Sequence, residues 1–375
     1  MAALYIHIPF CHSRCAYCDF CSSTLNSKAQ HLYTKALIRE MGSRRDYLNG
    51  AEIATIYFGG GTPSILAEED LIQIFSTIRS TFIIKSSAEI TIEANPDDVS
   101  AERVKRWIDL GINRLSMGVQ SLNDGLLRLL HRRHTSQQAI DAVKAAYHAG
   151  LENISIDLMY GFPTLQVQTW ERTLQEILSL PIAHLSAYCL SIEKGTQMAA
   201  KIQKGELNLP NDEVCEAQYR MLIDETAKAG FEHYEISNFA RPDMYSRHNA
   251  SYWDCTPYLG LGAGAHSFNG VSRQVNTTDV QSYIEKDGNI PFETEILTAY
   301  ERINETIFLN LRTRKGLNTL LFKEEFGEET INALLHAAAP HISTGRLSHN
   351  GKHLRLTEKG VFVSNDIISD LMFVD

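Results

Sequence analysis

The 375-residue chain lacks any apolar run close to the roughly 18–20 residues that cross a bilayer, so we expect no transmembrane segment. The N-terminus has no cationic stretch before its short apolar run and no small-residue cleavage site, which argues against a signal peptide. Basic charge is also scarce, because 35 Lys and Arg face 45 Asp and Glu and leave a net charge of −10. That balance removes the whole-surface attraction that drives nonspecific nucleic-acid binding. We expect a cytosolic protein with no nucleic-acid partner.

The cysteines do not form the pattern of a disulfide framework, which usually needs secretion and an even count. The chain has seven, of which four are clustered at Cys11, Cys15, Cys18 and Cys21 and three are scattered at Cys189, Cys215 and Cys255. A tight cysteine cluster in a reducing compartment is more often a metal or redox site.

Short β-branched or aromatic runs alternate with helical patterns over the first half of the chain. The predicted strands are Leu4–Ile8, Ala54–Phe58, Glu89–Glu93, Arg114–Val119, Asn153–Leu158 and His184–Leu190, and the predicted helices between them are Ala29–Leu48, Glu68–Phe82, Ser100–Leu110, Thr135–Ala149 and Gln166–Leu178. This alternation predicts an α/β fold with a parallel sheet and right-handed crossovers. Six such units form a partial (β/α)6 barrel or an open twisted sheet.

The rest of the chain changes character, and we expect three regions. Residues 1–200 form the partial barrel, residues 201–295 a helical and irregular extension, and residues 296–375 a small C-terminal helical or winged-helix-like domain. The extension contains a predicted helix over Asn211–Ala229 and a stretch rich in Gly and aromatic residues, Tyr234–Gly270, which is typical of an irregular functional surface. The last region has helical patterns over Arg302–Leu311 and Lys323–Ala339 and an alternating run over His353–Leu356.

The residues directly after the first predicted strand read Cys11-His-Ser-Arg-Cys15-Ala-Tyr-Cys18. Three thiolates at this spacing can hold an iron–sulfur cube, whose fourth iron then has no protein ligand. An open coordination position is what distinguishes a reactive metal site from a closed structural one. The alternatives are a zinc site completed by Cys21 or a nearby His, and a surface loop with idle thiols.

The spacing of Cys11, Cys15 and Cys18 at the end of a first strand resembles that of the radical S-adenosylmethionine (SAM) enzymes. Further motifs are similar to those of the oxygen-independent coproporphyrinogen oxidase group: Tyr5-Ile-His-Ile-Pro-Phe-Cys11, Gly59-Gly-Gly-Thr-Pro63, Glu93-Ala-Asn-Pro96, Gly118-Val-Gln120, His131-Arg-Arg-His134 and Asp157-Leu-Met-Tyr-Gly161. The resemblance implies a 4Fe–4S cluster on the three cysteines, with SAM bound at the open iron.

The same resemblance implies roles for residues at the ends of successive strands, where parallel barrels place their ligand sites. It assigns Gly60, Gly61 and Thr62 to the methionine part of SAM, and Tyr17, Gln120, Arg132 and Asp157 to its nucleoside and carboxylate. Glu93 and Tyr5 belong to the same expected site. The glycine run lacks the Lys-Ser/Thr of a P-loop and the spacing of a dinucleotide fingerprint.

The group contains two functions, a coproporphyrinogen III dehydrogenase and the related HemW haem chaperones. Three features favour the chaperones: Phe20 stands where the dehydrogenase has a further cysteine, no extension precedes the cluster, and Arg247-His-Asn-Ala-Ser-Tyr-Trp253 looks like a HemW segment. Cys21 departs from this pattern, because it lies one residue after the dehydrogenase position. The expected partners are haem or porphyrin, apo-haemoproteins and an electron donor. A radical enzyme acting on RNA is a third class, which the acidic charge disfavours.

An imidazole is a good axial ligand for haem iron, and we expect His248 to be that ligand, with His266 as a second candidate. Neighbouring Tyr252, Trp253 and Tyr258 could pack on a porphyrin face. The basic run Arg128, Arg132 and Arg133 could pair with the porphyrin propionates.

Overall fold

The computed structural model describes residues 1–19, 23–24, 26–162, 165–208, 211–289 and 291–374. Its strands are β1 (Ala2–Ile8), β2 (Ile53–Gly60), β3 (Ile84–Ala94), β4 (Arg114–Gln120), β5 (Ile154–Tyr160), β6 (His184–Cys189), β7 (Glu232–Glu235), β8 (Asn238–Ala240), β9 (Tyr258–Leu261), β10 (His266–Phe268), β11 (Ser272–Asn276), β12 (Phe292–Ile296), β13 (Leu317–Asn318), β14 (Leu347–His349) and β15 (His353–Leu356). Its α-helices are α1 (Ser27–Ser43), α2 (Glu68–Thr81), α3 (Ala101–Asp109), α4 (Asp124–Leu129), α5 (Ser136–His148), α6 (Val167–Ser179), α7 (Gln197–Gln203), α8 (Asp212–Lys228), α9 (Arg247–Trp253), α10 (Val280–Glu285), α11 (Ala299–Leu311), α12 (Thr319–Phe326), α13 (Glu328–Ser343), α14 (Glu358–Val361) and α15 (Ser364–Asp370). Phe20 and Cys21, which entered the comparison with the dehydrogenase, lie outside the described residues.

The first six strands lie side by side in chain order and pair in parallel, which confirms the predicted α/β partial barrel. Helices α1, α2, α3, α5 and α6 occupy the crossovers between them. The carboxyl ends of β1 to β6 therefore meet at one edge of the sheet, where parallel barrels carry their ligand sites.

Helix α5 shows how local sequence sets these crossovers. Thr135 is its N-cap, and the Thr135 side chain and the Gln138 side chain each accept a hydrogen bond from the other residue's backbone N–H. The helix buries Ala139, Val143 and Ala146 on one face, so its apolar positions pack against the sheet.

The sheet is wider than the sequence predicts. Strands β8 and β7 continue it beyond β6, and β9, β10, β11 and β12 continue it beyond β1, so that twelve described strands form one sheet. Strand β9 pairs with β1 in parallel, with Tyr258 opposite Ala3. The prediction of an irregular surface over Tyr234–Gly270 is therefore wrong in part, because four of these strands and α9 lie largely within it.

Two hydrophobic cores organise the described residues. The first runs from Ala2 to Tyr283 and includes Leu222, Phe239 and Leu259, so the predicted extension shares the core of the barrel. The second, from Ile303 to Leu371, is built from α11, α12, α13 and α15 around the three-stranded sheet β13-β15-β14. The predicted helix over Lys323–Ala339 is two helices, α12 and α13. No helix in the described part of the chain is long and apolar enough to cross a membrane.

Candidate cluster and cofactor site

The loop that leaves β1 carries the three predicted cluster cysteines and is fastened at several points. Phe10 is fully buried at its start. The Cys11 N–H donates to the Ser23 carbonyl at 2.9 Å, and the Ala16 N–H donates to the Leu130 carbonyl at 3.1 Å. These contacts hold the cysteine loop against the end of β1 and the segment after α4.

Cys11, Cys15 and Cys18 line one open cavity, with a volume of about 150 Å³, at the carboxyl edge of the parallel strands. The other predicted site residues that line it are Tyr17, Gly60, Gly61, Thr62, Glu93, Gln120, Arg132 and Asp157. The structure thus brings together every residue predicted for the cluster and for SAM except Tyr5. The physical reason is topological, because successive parallel strands deliver their last residues to the same edge.

Two glycines bring the end of β2 against the cysteine loop. The Gly61 N–H donates to the Ile8 carbonyl at 2.8 Å. A Cβ on Gly61 would lie 2.6 Å from the Phe10 carbonyl oxygen, and one on Gly60 would lie 2.5 Å from the ring of His7. Gly60 also has a φ of +107°, which side chains rarely allow. Only glycine fits this close approach at either position.

Polar side chains approach two of the cysteine sulfurs. Thr62 Oγ1 lies 3.5 Å from Cys11 Sγ, and Arg132 Nη1 lies 3.4 Å from Cys15 Sγ. Arg132 is held in place by donating to Asn95 Oδ1 at 2.6 Å. Hydrogen bonds to ligating sulfur are one of the means by which a protein sets the reduction potential of an iron–sulfur cluster.

Two carboxyl groups lie deep in the cavity. Glu93 accepts hydrogen bonds from the Tyr57 hydroxyl at 2.7 Å and from the Gly60 N–H at 3.2 Å. Burial outweighs these bonds and raises the pKa of Glu93 to about 7. Asp157 accepts from Ser116 Oγ at 3.4 Å, and burial raises the pKa of Asp157 as well. Both groups therefore hold a proton more readily than surface carboxyl groups do.

Tyr17 and Gln120 complete the wall of the cavity. Burial raises the pKa of Tyr17, so the phenol stays protonated and can donate a hydrogen bond. Gln120 ends β4 with a φ of +67°. That conformation is uncommon for a residue other than glycine and recurs at ligand sites, where the surrounding structure holds it in place.

Tyr5 does not line the cavity but supports it from behind. Its ring stacks on Tyr57 with centroids 6.2 Å apart, and its hydroxyl lies 3.1 Å from His7 Nδ1. Because Tyr57 donates to Glu93, the ring of Tyr5 helps to position that carboxyl group. We infer that Tyr5 acts through its neighbours.

His248 is buried on α9 and is not placed to bind haem iron in this structure. Its Nδ1 lies 2.8 Å from Thr55 Oγ1, and its Nε2 lies 2.9 Å from the Tyr252 hydroxyl. Burial lowers the pKa of His248 to about 3, so the ring is neutral. Both ring nitrogens are in hydrogen bonds, and the one that carries the lone pair of the neutral ring is therefore not directed at a ligand. The expected role of His248 as haem ligand therefore has no support in the geometry.

The other residues expected to contact porphyrin do not share one site. Tyr252, Tyr258 and His266 line one cavity, separate from the one that holds the cysteines, and Trp253 lines a third. Arg133 pairs with Asp97, so its guanidinium already has an acidic partner. The structure thus separates Trp253 and Arg133 from the other three residues.

Three residues of the site were not among the predicted site residues: Ser116, and Asn95 and Gly118, which appear only within the quoted motifs. All three line the cavity. Ser116 and Gly118 precede Gln120 on β4 at intervals of two residues, which places them on the same face of the strand. That alternation was available in the sequence and could have identified them.

The residues present fit a cluster and an anionic ligand. Within the described ranges, no three His, Cys, Asp or Glu side chains converge closely enough to hold a single metal ion. The thiolates of an iron–sulfur cube bind different irons and need not converge on one point. Arg132 Nε, at the same cavity, is buried with no hydrogen-bond partner among the residues described. An unsatisfied guanidinium donor at this position suits a carboxylate group.

Two protein-family models match the chain. The model of the radical SAM superfamily matches residues 5–177, and the model of the HemN C-terminal domain matches residues 297–363. Among solved structures, the coproporphyrinogen III oxidase HemN from Escherichia coli, a radical SAM enzyme, superimposes with a TM-score of 0.86 over 99% of this chain and 90% of that one. The sequence identity is 24%, so this likeness shows the fold alone. Fold and family model together define a radical SAM protein.

Two curated relatives match along nearly their whole length. The chain is 36% identical to the heme chaperone HemW of Bacillus subtilis over 374 residues, which are 98% of each protein. It is 33% identical to the heme chaperone HemW of Lactococcus lactis, over 99% of this chain and 97% of that one. Within the radical SAM superfamily, the chain belongs to the HemW family.

Proposed function

We propose that this protein is a haem chaperone of the radical SAM type, which binds haem and transfers it to apo-haemoproteins. The observation that carries the proposal is the match to HemW heme chaperones along almost the entire chain, at 33 to 36% identity. A match of that extent includes the C-terminal domain as well as the barrel. The cysteine cluster suits a reducing compartment such as the cytosol.

The proposal includes a 4Fe–4S cluster on Cys11, Cys15 and Cys18, with SAM beside it. Bound together, these groups supply one-electron reductive chemistry. The chain's own contribution is to hold them: the three thiols ligate, and Arg132 donates to the carboxylate of SAM through its unsatisfied Nε. The remaining residues proposed to contact SAM are Tyr17, Gly60, Gly61, Thr62, Glu93, Gln120 and Asp157, all of which line the cavity.

Glu93 has a proton-holding role in this arrangement. With a pKa of about 7, its carboxyl group is close to half protonated at neutral pH. It accepts hydrogen bonds from ligand hydroxyl groups when ionised and donates one when protonated. Tyr57 and Gly60 fix its orientation in both states, because each bonds a different oxygen.

The cluster assignment is tested by anaerobic reconstitution of the purified chain. We expect about four irons and four sulfides per chain and a visible absorbance that oxygen bleaches. Replacing Cys11, Cys15 or Cys18 singly by Ser should abolish this absorbance, whereas Cys189→Ser, at an exposed thiol outside the loop, should leave it unchanged. Full iron content in the three loop variants would overturn the assignment.

The chaperone is distinguished from the dehydrogenase by one assay. The reconstituted protein is incubated without oxygen with coproporphyrinogen III, SAM and a reductant, and the products are separated by chromatography. We expect no protoporphyrinogen IX, and its formation would overturn the chaperone proposal in favour of the enzyme. In parallel, haem-loaded protein is mixed with apomyoglobin, and haem transfer is followed by absorbance. Failure of the loaded protein to release haem would also contradict the proposal.

A further inference from the structure

A second cavity lies where β9, β10 and β11 face α9 and α11, away from the cysteine loop. Its volume is about 370 Å³, at the lower end of the roughly 300–1,000 Å³ of small-molecule sites. The lining residues that matter here are Tyr252, Cys255, Tyr258, His266, Phe268 and Arg273. They combine aromatic rings, two side chains able to bind iron and one cation.

The cavity is on the inner face of the sheet, the face that also carries α9. Directly paired residues of neighbouring strands point to the same side. Phe268 is paired with Tyr258, Tyr258 with Ala3, and Ala3 with Thr55. Thr55 contacts His248 of α9, so the whole row faces that helix.

A continuous series of ring contacts joins this cavity to the cluster cavity. Tyr258 and Tyr252 have centroids 4.8 Å apart, Tyr252 and His248 5.2 Å, and His248 and Tyr57 5.0 Å. Tyr57 then donates to Glu93 in the cluster cavity. His248 therefore lies between the two cavities in this series of contacts, which links the second cavity to the proposed cluster site.

His266 is the better of the two candidate iron ligands. Its side chain is exposed at the start of β10, and no described residue bonds its ring nitrogens. Burial and the nearby Arg273 lower the pKa of His266, so the imidazole is neutral, as coordination requires. Burial raises the pKa of Cys255 to about 11, so that its sulfur stays a protonated thiol at neutral pH. The neutral imidazole is ready to coordinate and the thiol is not.

The remaining lining suits a flat apolar ring system that carries carboxylates. Tyr258 and Phe268, with centroids 6.5 Å apart, offer aromatic surface. Arg273 Nη1 pairs with Glu305 at 2.6 Å, which fixes the guanidinium, and Arg273 Nε is buried with no partner among the described residues. A guanidinium has five N–H donors, so Arg273 retains capacity for a carboxylate.

We propose that haem binds in this second cavity, with His266 as the axial ligand of the iron and Arg273 as the partner of a propionate. The inference rests on the proposed function, and it locates a haem site that the function leaves open. The cavity lined by Trp253 is less suitable, because its described lining, which includes Arg314, Lys315 and Arg355, contains neither an imidazole nor a thiol.

The test is a titration of the full chain with ferric haem, followed in the Soret region. We expect His266→Ala to weaken binding about tenfold or more and to shift the Soret maximum. Free imidazole should restore the wild-type spectrum in this variant, which a merely structural defect would not allow. Arg273→Gln should weaken binding with an unchanged Soret maximum. His336→Ala, at an exposed histidine of α13, and Cys255→Ser should behave as wild type.

The outcomes distinguish an error in the proposed haem site from an error in the proposed function. If the wild-type chain does not bind haem, the proposed function fails, and the site with it. If the wild type binds haem and His266→Ala has the same affinity and spectrum, the site is wrong while the function stands. Loss of the Soret band in His248→Ala, with His266→Ala unaffected and both variants folded by circular dichroism, would return the ligand role to His248.

Discussion

Replacing Gly61 by Ala tests how tightly the cysteine loop depends on the end of β2. The added Cβ would lie 2.6 Å from the Phe10 carbonyl oxygen, 2.8 Å from the Phe10 nitrogen and 2.9 Å from the Ile8 carbonyl oxygen. All three neighbours are backbone atoms, which cannot turn away as a flexible side chain can. The end of β2 must therefore separate from the cysteine loop.

The expected cost follows from what that separation breaks. The Gly61 N–H bond to Ile8 and the Thr62 N–H bond to Phe10, at 2.8 and 2.7 Å, join the two segments. Overpacking costs roughly 1–3 kcal/mol and each lost backbone hydrogen bond about 0.5–1.5 kcal/mol, so we expect a loss of about 2–6 kcal/mol in unfolding free energy. Iron content after reconstitution should fall as well, because Cys11 follows Phe10 directly.

Gly42→Ala is the matched control. Gly42 lies in α1 with nothing within 4 Å of a Cβ, so Ala should stabilise the helix by about 0.5–1 kcal/mol and leave iron binding unchanged. Urea unfolding gives the free energies, and iron and sulfide analysis gives the cluster content. Equal stability and equal iron content in the two variants would refute the argument.

Two further substitutions test buried charged groups. The pKa of Glu93 rises from 4.5 to about 7 on folding, so the free energy of unfolding of the wild type relative to Glu93→Gln should fall by about 2–4 kcal/mol between about pH 4 and pH 8. Urea unfolding at several pH values that shows the same pH dependence for both proteins would contradict this. Arg44→Ala leaves the buried carboxylate of Glu40 without its cation and should cost about 3–5 kcal/mol. Arg45→Ala removes one partner of an exposed ion pair and should cost less than about 0.5 kcal/mol. Equal losses of unfolding free energy in the two arginine variants would show that the buried pair does not stabilise the fold.

Much of the barrel could be predicted because its signals are local. Each of the six parallel strands contains most of its predicted run, and the Thr135 cap with Gln138 was visible in the sequence. Strand β9 was missed for the opposite reason. It has four residues including Gly260, shows no alternation, and is defined by pairing with β1, whose partner residues lie more than 250 positions away in the chain. Such pairing has no local signature.

The candidate site also contains residues that the sequence could place and residues that only the tertiary structure could. The order of Cys11, Thr62, Glu93, Gln120 and Asp157 along alternating strands and helices was enough to place them at one edge, since parallel strands end together. The choice between His248 and His266 was not in the sequence, because both lie in the same aromatic segment. Only folding buries the first against Thr55 of β2 and leaves the second at an open cavity, since a side chain's burial and partners come from elements distant in the chain.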